Sequence, residues 1–256
     1  MNSSLQSDID KTAPVAILSM HSKGGIKNDL LAALSAEDLQ FIMPHLEFVY
    51  ISFDQQIFDY GDAISHVYFP TTAVIALLYL LENGATAEIA VVGHDGLLGL
   101  SALLGGAALG TAVVQCAGYA YKLKVSVLQE AFSRRPNLQQ LLMRYMQQLF
   151  GQITQNSVCS RHYSVDQQLS RWLLNRLDRL PGNVLKMTQA MIAGMLGVRR
   201  ETITEAAGRL QQEGLIQYHR GSITVLNRLG LERHAGECYQ SDRQDMGLGS
   251  GLAAAR

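Results

Sequence analysis

The chain has 256 residues, enough for two domains, and 48% of them are hydrophobic, so a sizeable core can form without disulfide staples. The net charge of -1 hides an asymmetry: residues 1–163 carry 9 Lys/Arg against 13 Asp/Glu, and residues 164–256 carry 12 against 9, which suits nucleic acid at the C-terminal end. Cys116, Cys159 and Cys238 have no zinc or disulfide spacing and read as free thiols in a reducing cytoplasm, and no basic start precedes an apolar run, which argues against a secretory signal.

Residues 1–27 are polar and irregular and are expected to be loosely ordered. Residues 28–46 read as helix, with Ser35 opening a second capped turn whose apolar face is Leu39, Ile42 and Met43. Short strands are then predicted at 48–53, 56–60, 65–70, 74–80, 86–92, 111–116 and 119–124. Turn signals separate them at Tyr60-Gly61-Asp62, Glu82-Asn83-Gly84 and Gly93-His94-Asp95-Gly96. Regular short strands of this kind argue for a barrel or sandwich. Residues 96–121 hold no charge and include a glycine pair at Gly106 and Gly110, but six glycines break the stretch. It therefore reads as a short helix, a turn and a strand rather than a membrane span.

Residues 125–135 read as a short helix, and Pro136 and Asn137 start a long one reaching about residue 159. On it Leu138, Leu142, Tyr145, Leu149 and Ile153 follow a spacing of three to four and form one apolar stripe. Two uses compete for that stripe: covering the chain's own barrel, or a symmetric two-helix dimer seam. Leu141 and Met146 lie beside it, and Gln152 and Asn156 are polar positions on it that could set register. Ser164 with Gln167 makes a capping box for the next helix, whose buried face is Val165, Leu169, Trp172, Leu173 and Leu177.

Residues 188–216 carry the clearest chemistry. Thr188 caps one short helix with Ile192, Met195 and Leu196 on one face, and Gly197 supplies the turn. A second helix buries Ile203, Ala206, Ala207 and Leu210. This is a helix-turn-helix, whose second helix enters the major groove. That helix exposes Arg199, Arg200, Glu201, Thr202 and Thr204 in its first turns. Arginine can bond guanine O6 and N7 together, and glutamate can accept from cytosine N4. After Gly214, residues 215–218 and 223–226 alternate like a hairpin, which makes a wing. One more short helix is expected over 229–239, and 240–256 lacks a pattern and reads as a disordered tail.

The run L-G-V-R-R-E-T-I-T-E, followed by Gln211 and by Gly214-Leu215-Ile216, resembles the winged helix-turn-helix of the CRP/FNR superfamily of bacterial transcription regulators. The phrases I-F-D-Y-G-D and H-V-Y-F-P resemble the early strands of that family's ligand-sensing β-roll. The resemblance implies an α+β chain: a β-roll sensor domain (a cupin-like double-stranded β-helix) over 28–135, a long dimerisation helix over 136–163, and a winged helix-turn-helix over 164–239. It also implies a homodimer on a pseudo-palindromic double-stranded DNA site, with RNA polymerase as a further partner. Arg200, Glu201 and Thr204 become the base contacts, and Thr188, Gln189, Arg199 and Thr202 the phosphate contacts. Glu205 stands where many relatives carry arginine.

The same resemblance exposes departures. Relatives that bind cyclic nucleotides hold the ribose on a glutamate and the phosphate on an Arg-Ser pair. By position Gly96-Leu97 and Gly110-Thr111 stand in those places, and no Lys or Arg lies between Lys27 and Lys122. A buried anion needs a cation or several donors, so the effector is left open and is not expected to be a cyclic nucleotide. No cysteine precedes Cys116, which argues against the iron-sulfur cluster of some relatives, and no cofactor is expected. A β-roll enzyme is the competing class, but it would need a metal-ligand cluster. His66 and His94, 28 residues apart, with Glu88 nearby, do not make one, so no metal site and no catalytic residues are assigned.

Overall fold

The computed structural model describes residues 26–240, and the expectations for the first residues and for the tail beyond 240 lie outside the described residues. Asn28 caps a one-turn helix α1 (Asp29–Ala32) by accepting from the Leu31 N–H, and its buried amide donates to the carbonyls of Pro70 and Gly96 at 2.9 Å each. Ser35 then restarts the chain as α2 (Ala36–Ile42), accepting from Asp38 N–H at 3.1 Å. The second capped turn expected at Ser35 is thus a separate helix, because both Asn28 and Ser35 cap a turn.

Seven strands follow: β1 (Glu47–Ile51), β2 (Gln56–Phe58), β3 (His66–Pro70), β4 (Val74–Leu80), β5 (Thr86–Val92), β6 (Thr111–Cys116) and β7 (Gly118–Lys124). They form two antiparallel sheets, ordered β1-β7-β3 and β2-β6-β4-β5. Between them Ile51, Ile75, Val92, Leu98, Val114 and Ala120 make a dry interior. This is the jelly-roll-like domain that strand alternation predicts. β5 is an edge strand, and an edge left open invites further pairing.

A short helix α3 (Val125–Arg134) leads into α4 (Pro136–His162), 27 residues long. Of the two uses that the sequence leaves open for the stripe, the structure shows the first for most of it. Leu138, Leu142 and Tyr145 are 1%, 3% and 5% exposed and lie in the chain's own core with Leu97, Leu103 and Leu128. Leu149 is half-buried against the same core. The stripe therefore covers the β-roll, while Met143 and Phe150 stand outward at 57% and 65% exposure. Gln152 and Asn156 are spent on β5. Gln152 bonds both N–H and C=O of Val91, at 3.1 and 3.3 Å, and Asn156 donates to Ile89 O at 2.8 Å. Both satisfy the open edge of β5.

After Tyr163 the capping box of Ser164 and Gln167 opens α5 (Val165–Leu177). Then come β8 (Val184–Lys186), α6 (Gln189–Leu196), α7 (Arg200–Gln212), β9 (Ile216–His219), β10 (Ser222–Val225) and α8 (Arg228–Ala235). The wing is a three-stranded sheet ordered β8-β10-β9, one strand more than the sequence shows. Trp172, Leu173, Ile192, Ile203, Leu210 and Ile223 form its core with the helices. Among the described residues no helix is long and apolar enough to cross a membrane.

The cysteines also correct the sequence reading. Cys159 near the end of α4 and Cys238 beyond α8 are joined as a disulfide, with Cα atoms 6.3 Å apart, while Cys116 is free. The pair is 79 residues apart in sequence, and it meets because α8 packs on α5 and carries the chain back to α4.

The two domains touch through a polar knot. Arg176, 1% exposed, pairs with Glu88 of β5 and donates to Gln115 Oε1 at 3.1 and 3.0 Å. Its guanidinium stacks 3.8 Å from the Trp172 ring centroid. Gln115 in turn donates to Glu88 at 3.0 Å. Burial pulls the Arg176 pKa down and Glu88 opposes that. Removing one partner of such a pair leaves an uncompensated buried charge and costs about 3–5 kcal/mol. Glu88→Ala is therefore expected to lower unfolding stability by about that amount in urea titration; a loss under about 1 kcal/mol would contradict the knot.

Candidate nucleic-acid interface

The interface is built on the turn between α6 and α7. Thr188 Oγ1 accepts from Met191 N–H at 3.2 Å and starts α6. Gly197 ends it with φ of 66°, a left-handed conformation that glycine adopts without a Cβ clash. Val198 N–H returns to Ala193 O at 3.0 Å, which turns the chain sharply toward α7. Ile192 and Ala193 then pack on Ile203, Ala206, Ala207 and Leu210, so the opposite face of α7 points outward.

That outward face carries the predicted reading residues. Arg199, the N-cap residue of α7, and Arg200, Glu201 and Thr204 in its first turns are exposed, and Thr202 is half-buried. Thr204 Oγ1 donates to Gln189 Oε1 at 2.8 Å, so the structure brings together a residue expected on a base and one expected on a phosphate. The pair fixes the Gln189 amide beside the start of α7 and leaves its two N–H donors to solvent-facing acceptors. Thr188 is exposed on the same side. Glu205 is exposed too, 3.9 Å from Arg209, which is itself held by Asp166 at 2.6 and 2.7 Å. Glu205 thus adds a negative charge one turn into the helix, next to a cation already occupied.

The wing adds two cations that sequence reasoning missed. Lys186 on β8 and Arg220 at the β9–β10 turn are exposed, and Arg220 sits at φ of 45°. Gln211 Oε1 accepts from Tyr218 N–H at 2.9 Å and ties α7 to the wing. The signal for Lys186 was faint, because a three-residue strand has no readable alternation.

A loop of the β-roll holds this domain in place. Asp95 accepts from Arg179 at 3.1 and 2.7 Å, and Thr86 Oγ1 donates to Gly194 O at 2.9 Å. His94 lies between Asp29 Oδ2, at 3.0 Å from Nδ1, and the Asp178 carbonyl, at 3.3 Å from Nε2.

The segments around Gly96 and Gly110 are closely packed. A Cβ on Gly96 would meet Tyr145 Oη at 2.6 Å, and one on Gly110 would meet Leu78 O at 2.6 Å. Leu97 is 1% exposed, and its carbonyl accepts from Tyr145 Oη at 2.9 Å. Thr111 spends its hydroxyl on Asp59, which lowers the Asp59 carboxyl pKa. The cavity beside Gly96 is about 30 Å³, room for roughly two waters. A larger cleft of about 270 Å³ lies outside the β-roll, between β5, α4, α5 and α6. His66, His94 and Glu88 are not brought together, and no cluster of three His, Cys, Asp or Glu occurs among the described residues.

Residues 167–234 match the Crp-like helix-turn-helix domain family. The chain is similar to the global nitrogen regulator of Synechococcus elongatus, 24% identical over 187 residues that cover 69% of this chain and 84% of the relative. Its fold is similar to that of FixK2 from Bradyrhizobium japonicum, with a TM-score of 0.64 and 18% identity over 73% of this chain and 95% of the other. It is also similar to a CRP/FNR-family transcriptional regulator of Thermus thermophilus, with a TM-score of 0.61 and 22% identity over 74% and 98% of the two chains.

The His94 bridge has a pH signature. Both its partners are acceptors, so both bonds form together only on the protonated ring. The hydrogen bond to Asp29, foremost, with the charges of Asp95 and Asp29 and against burial, raises the pKa above 6.5. A raised folded pKa contributes stability that is complete below the unfolded value and is lost as pH rises through the folded one. Unfolding stability of the wild type should therefore fall from about pH 6 to about pH 8 more than that of His94→Gln. Equal slopes in the two proteins would contradict the bridge.

Proposed function

We infer that the chain is a transcription regulator of the CRP/FNR superfamily, binding double-stranded DNA as a homodimer with α7 in the major groove. The observation that carries this reading is the turn at the start of α7 that exposes Arg199, Arg200 and Glu201, inside the segment that matches the Crp-like helix-turn-helix family. The wing cations Lys186 and Arg220 support it, since phosphate contacts beside the groove set register. Arg200, Glu201 and Thr204 are the base contacts in this reading, and Thr188, Gln189, Arg199 and Thr202 the phosphate contacts. RNA polymerase is the partner that such a regulator implies.

The dimer reading moves to the outward face of α4. Met143, Met146, Phe150 and Ile153 recur at offsets of 3, 7 and 10, the a/d pattern of a two-helix seam. Met143 and Phe150 are exposed and Ile153 is half-buried, while Met146, half-buried as well, also packs against the β-roll core. Ile153 stays in the seam from the sequence reading, and Leu138, Leu142, Tyr145 and Leu149 leave it. A charge placed in such a seam has no partner and must be desolvated. Phe150→Glu should therefore shift the protein from dimer to monomer by sedimentation, with folding intact by circular dichroism; an unchanged dimer would refute the seam.

The β-roll, in this reading, takes no cyclic nucleotide. The cassette offers no cation, Thr111 faces Asp59, and Tyr145 fills the space against Gly96. Titration calorimetry with cyclic AMP or cyclic GMP should give no binding heat at micromolar ligand; micromolar affinity coupled to tighter DNA binding would overturn this.

The direct test of the reading residues is substitution on DNA. Arg200→Ala should relax base preference at a cost of roughly 1–3 kcal/mol on the best site. Arg199→Ala should weaken all sequences alike and lower the salt slope by about one. Full discrimination retained by Arg200→Ala would show that another residue reads the base.

A further inference from the structure

The wing ends in a two-residue turn, Arg220-Gly221, between β9 and β10. Both residues are left-handed, with φ of 45° and 78°. A hairpin turn of this hand matches the twist of its strands, and Asn-Gly or Asp-Gly fills it with least strain. Gly221 fits, since it has no Cβ. Arg220 does not: its Cβ crowds the following carbonyl, and it lacks the short polar side chain that relieves Asn or Asp there. Among the described residues Asp54 is the other non-glycine residue at positive φ. Arg220 is exposed, and among the described residues its guanidinium has no hydrogen-bond or ion-pair partner. The wing thus gives up stability at its tip to hold a cation in water, and strain kept at an exposed position points to a ligand rather than to folding.

The shoulders of the tip are basic as well. Ser222 faces His219 across one ladder and Lys186 across the other, so the three side chains lie in a row on one face of the wing. His219 and Lys186 are exposed. A Cβ on Gly221 would lie 3.7 Å from Thr188 Cγ2, so the tip stands beside the N-cap of α6. Residues 179–200 and 214–231, which supply the wing and the start of the helix pair, contain no Asp or Glu. Such a strip suits the phosphate ridge that borders the major groove. At its apex stands one arginine. The minor groove beyond that ridge is about 6 Å wide, too narrow for a helix but open to one extended side chain.

We propose that Arg220 enters the minor groove beside the segment read by α7 and sets a preference for A·T-rich sequence there. The proposal rests on the DNA-binding reading above and adds a second groove to it. A guanidinium is planar and more weakly hydrated than an ammonium, so it leaves water for a groove at smaller cost. A·T tracts have a narrow minor groove whose negative potential attracts arginine. A G·C pair instead places the guanine N2 amino group, a donor, on the groove floor, where a guanidinium has only donors to offer. Lys186 and His219 stay on the phosphates at either side.

The experiment uses the full chain and the double-stranded site selected from a random pool. The base pairs adjoining each half-site are set to A·T, to G·C or to I·C, with the half-sites unchanged. Inosine keeps the major-groove face of guanine and lacks its minor-groove amino group. The wild type should bind A·T flanks about 5-fold or more tighter than G·C flanks, and I·C flanks as it binds A·T. Arg220→Asn should narrow that preference to under about 2-fold. Arg220→Lys should do the same while leaving the salt slope unchanged. An equal loss on all flanks, or full preference kept by Arg220→Lys, would make Arg220 a phosphate contact and overturn the proposal. I·C flanks that bind like G·C would overturn it too. Thermal unfolding gives an independent readout. Asn suits this turn better than Arg, so Arg220→Asn should raise Tm by about 1–3 °C. A lower Tm would show that Arg220 serves the fold, and would overturn the proposal. A wild type that binds its site with no flank preference fails the proposal alone. A wild type that does not tell its site from scrambled DNA fails the DNA-binding reading, and the proposal with it.

Discussion

Arg176 sits almost dry at the junction of the two domains, and Glu88 is the carboxylate that meets it there. The position of the DNA-reading helix depends on that meeting. A buried ion pair adds little net stability, because desolvating both charges costs nearly what their attraction returns. What it does supply is a strong penalty for any other arrangement. A domain shifted by a few ångströms would leave a buried guanidinium beside Trp172 with no carboxylate. Gln115 and Asp95 extend the constraint, one by completing the knot and one by gripping Arg179.

The long helix α4 makes this docking possible by working on three faces. Leu138, Leu142 and Tyr145 close the β-roll, Gln152 and Asn156 satisfy the open edge of β5, and Met143 and Phe150 are left outward. β5 is therefore bonded on one side to its sheet, and on the other to the helix that leads into the DNA-binding domain. Its own Glu88 and Thr86 then reach that domain directly. The loop after β5, from Gly93 to Gly96, contacts α1, α4 and the end of α5 at once. In the inferred regulator, a change at this loop would reach the recognition helix through rigid contacts rather than through a flexible linker.

Much of this was legible in the sequence where the deciding interactions are local. Thr188, Ser164 and Ser35 cap helices because each cap is a bond across three residues, and Gly197 marks a turn because its backbone needs no Cβ. The strands from 74 to 92 read cleanly from their apolar runs and the Asn83-Gly84 turn. The faces of α4 were not legible, since Leu138-Leu142-Tyr145 and Met143-Met146-Phe150 share one periodicity. Spacing says that a stripe exists, and only the β-roll decides which stripe it covers. Arg176 with Glu88 and Cys159 with Cys238 were invisible for the same reason: 88 and 79 residues separate them, and only the tertiary fold brings them together.

If docking fixes the orientation of α7 on α4, the account requires a fixed separation between two recognition helices in a dimer. The measurement that tests this most directly is selection of double-stranded DNA from a random pool by the purified chain, followed by footprinting on the enriched site. The predicted result is two related half-sites protected on one face of the duplex, with centres about 34 Å apart, one helical turn. A single asymmetric half-site bound by monomer, or no enrichment at all, would contradict it.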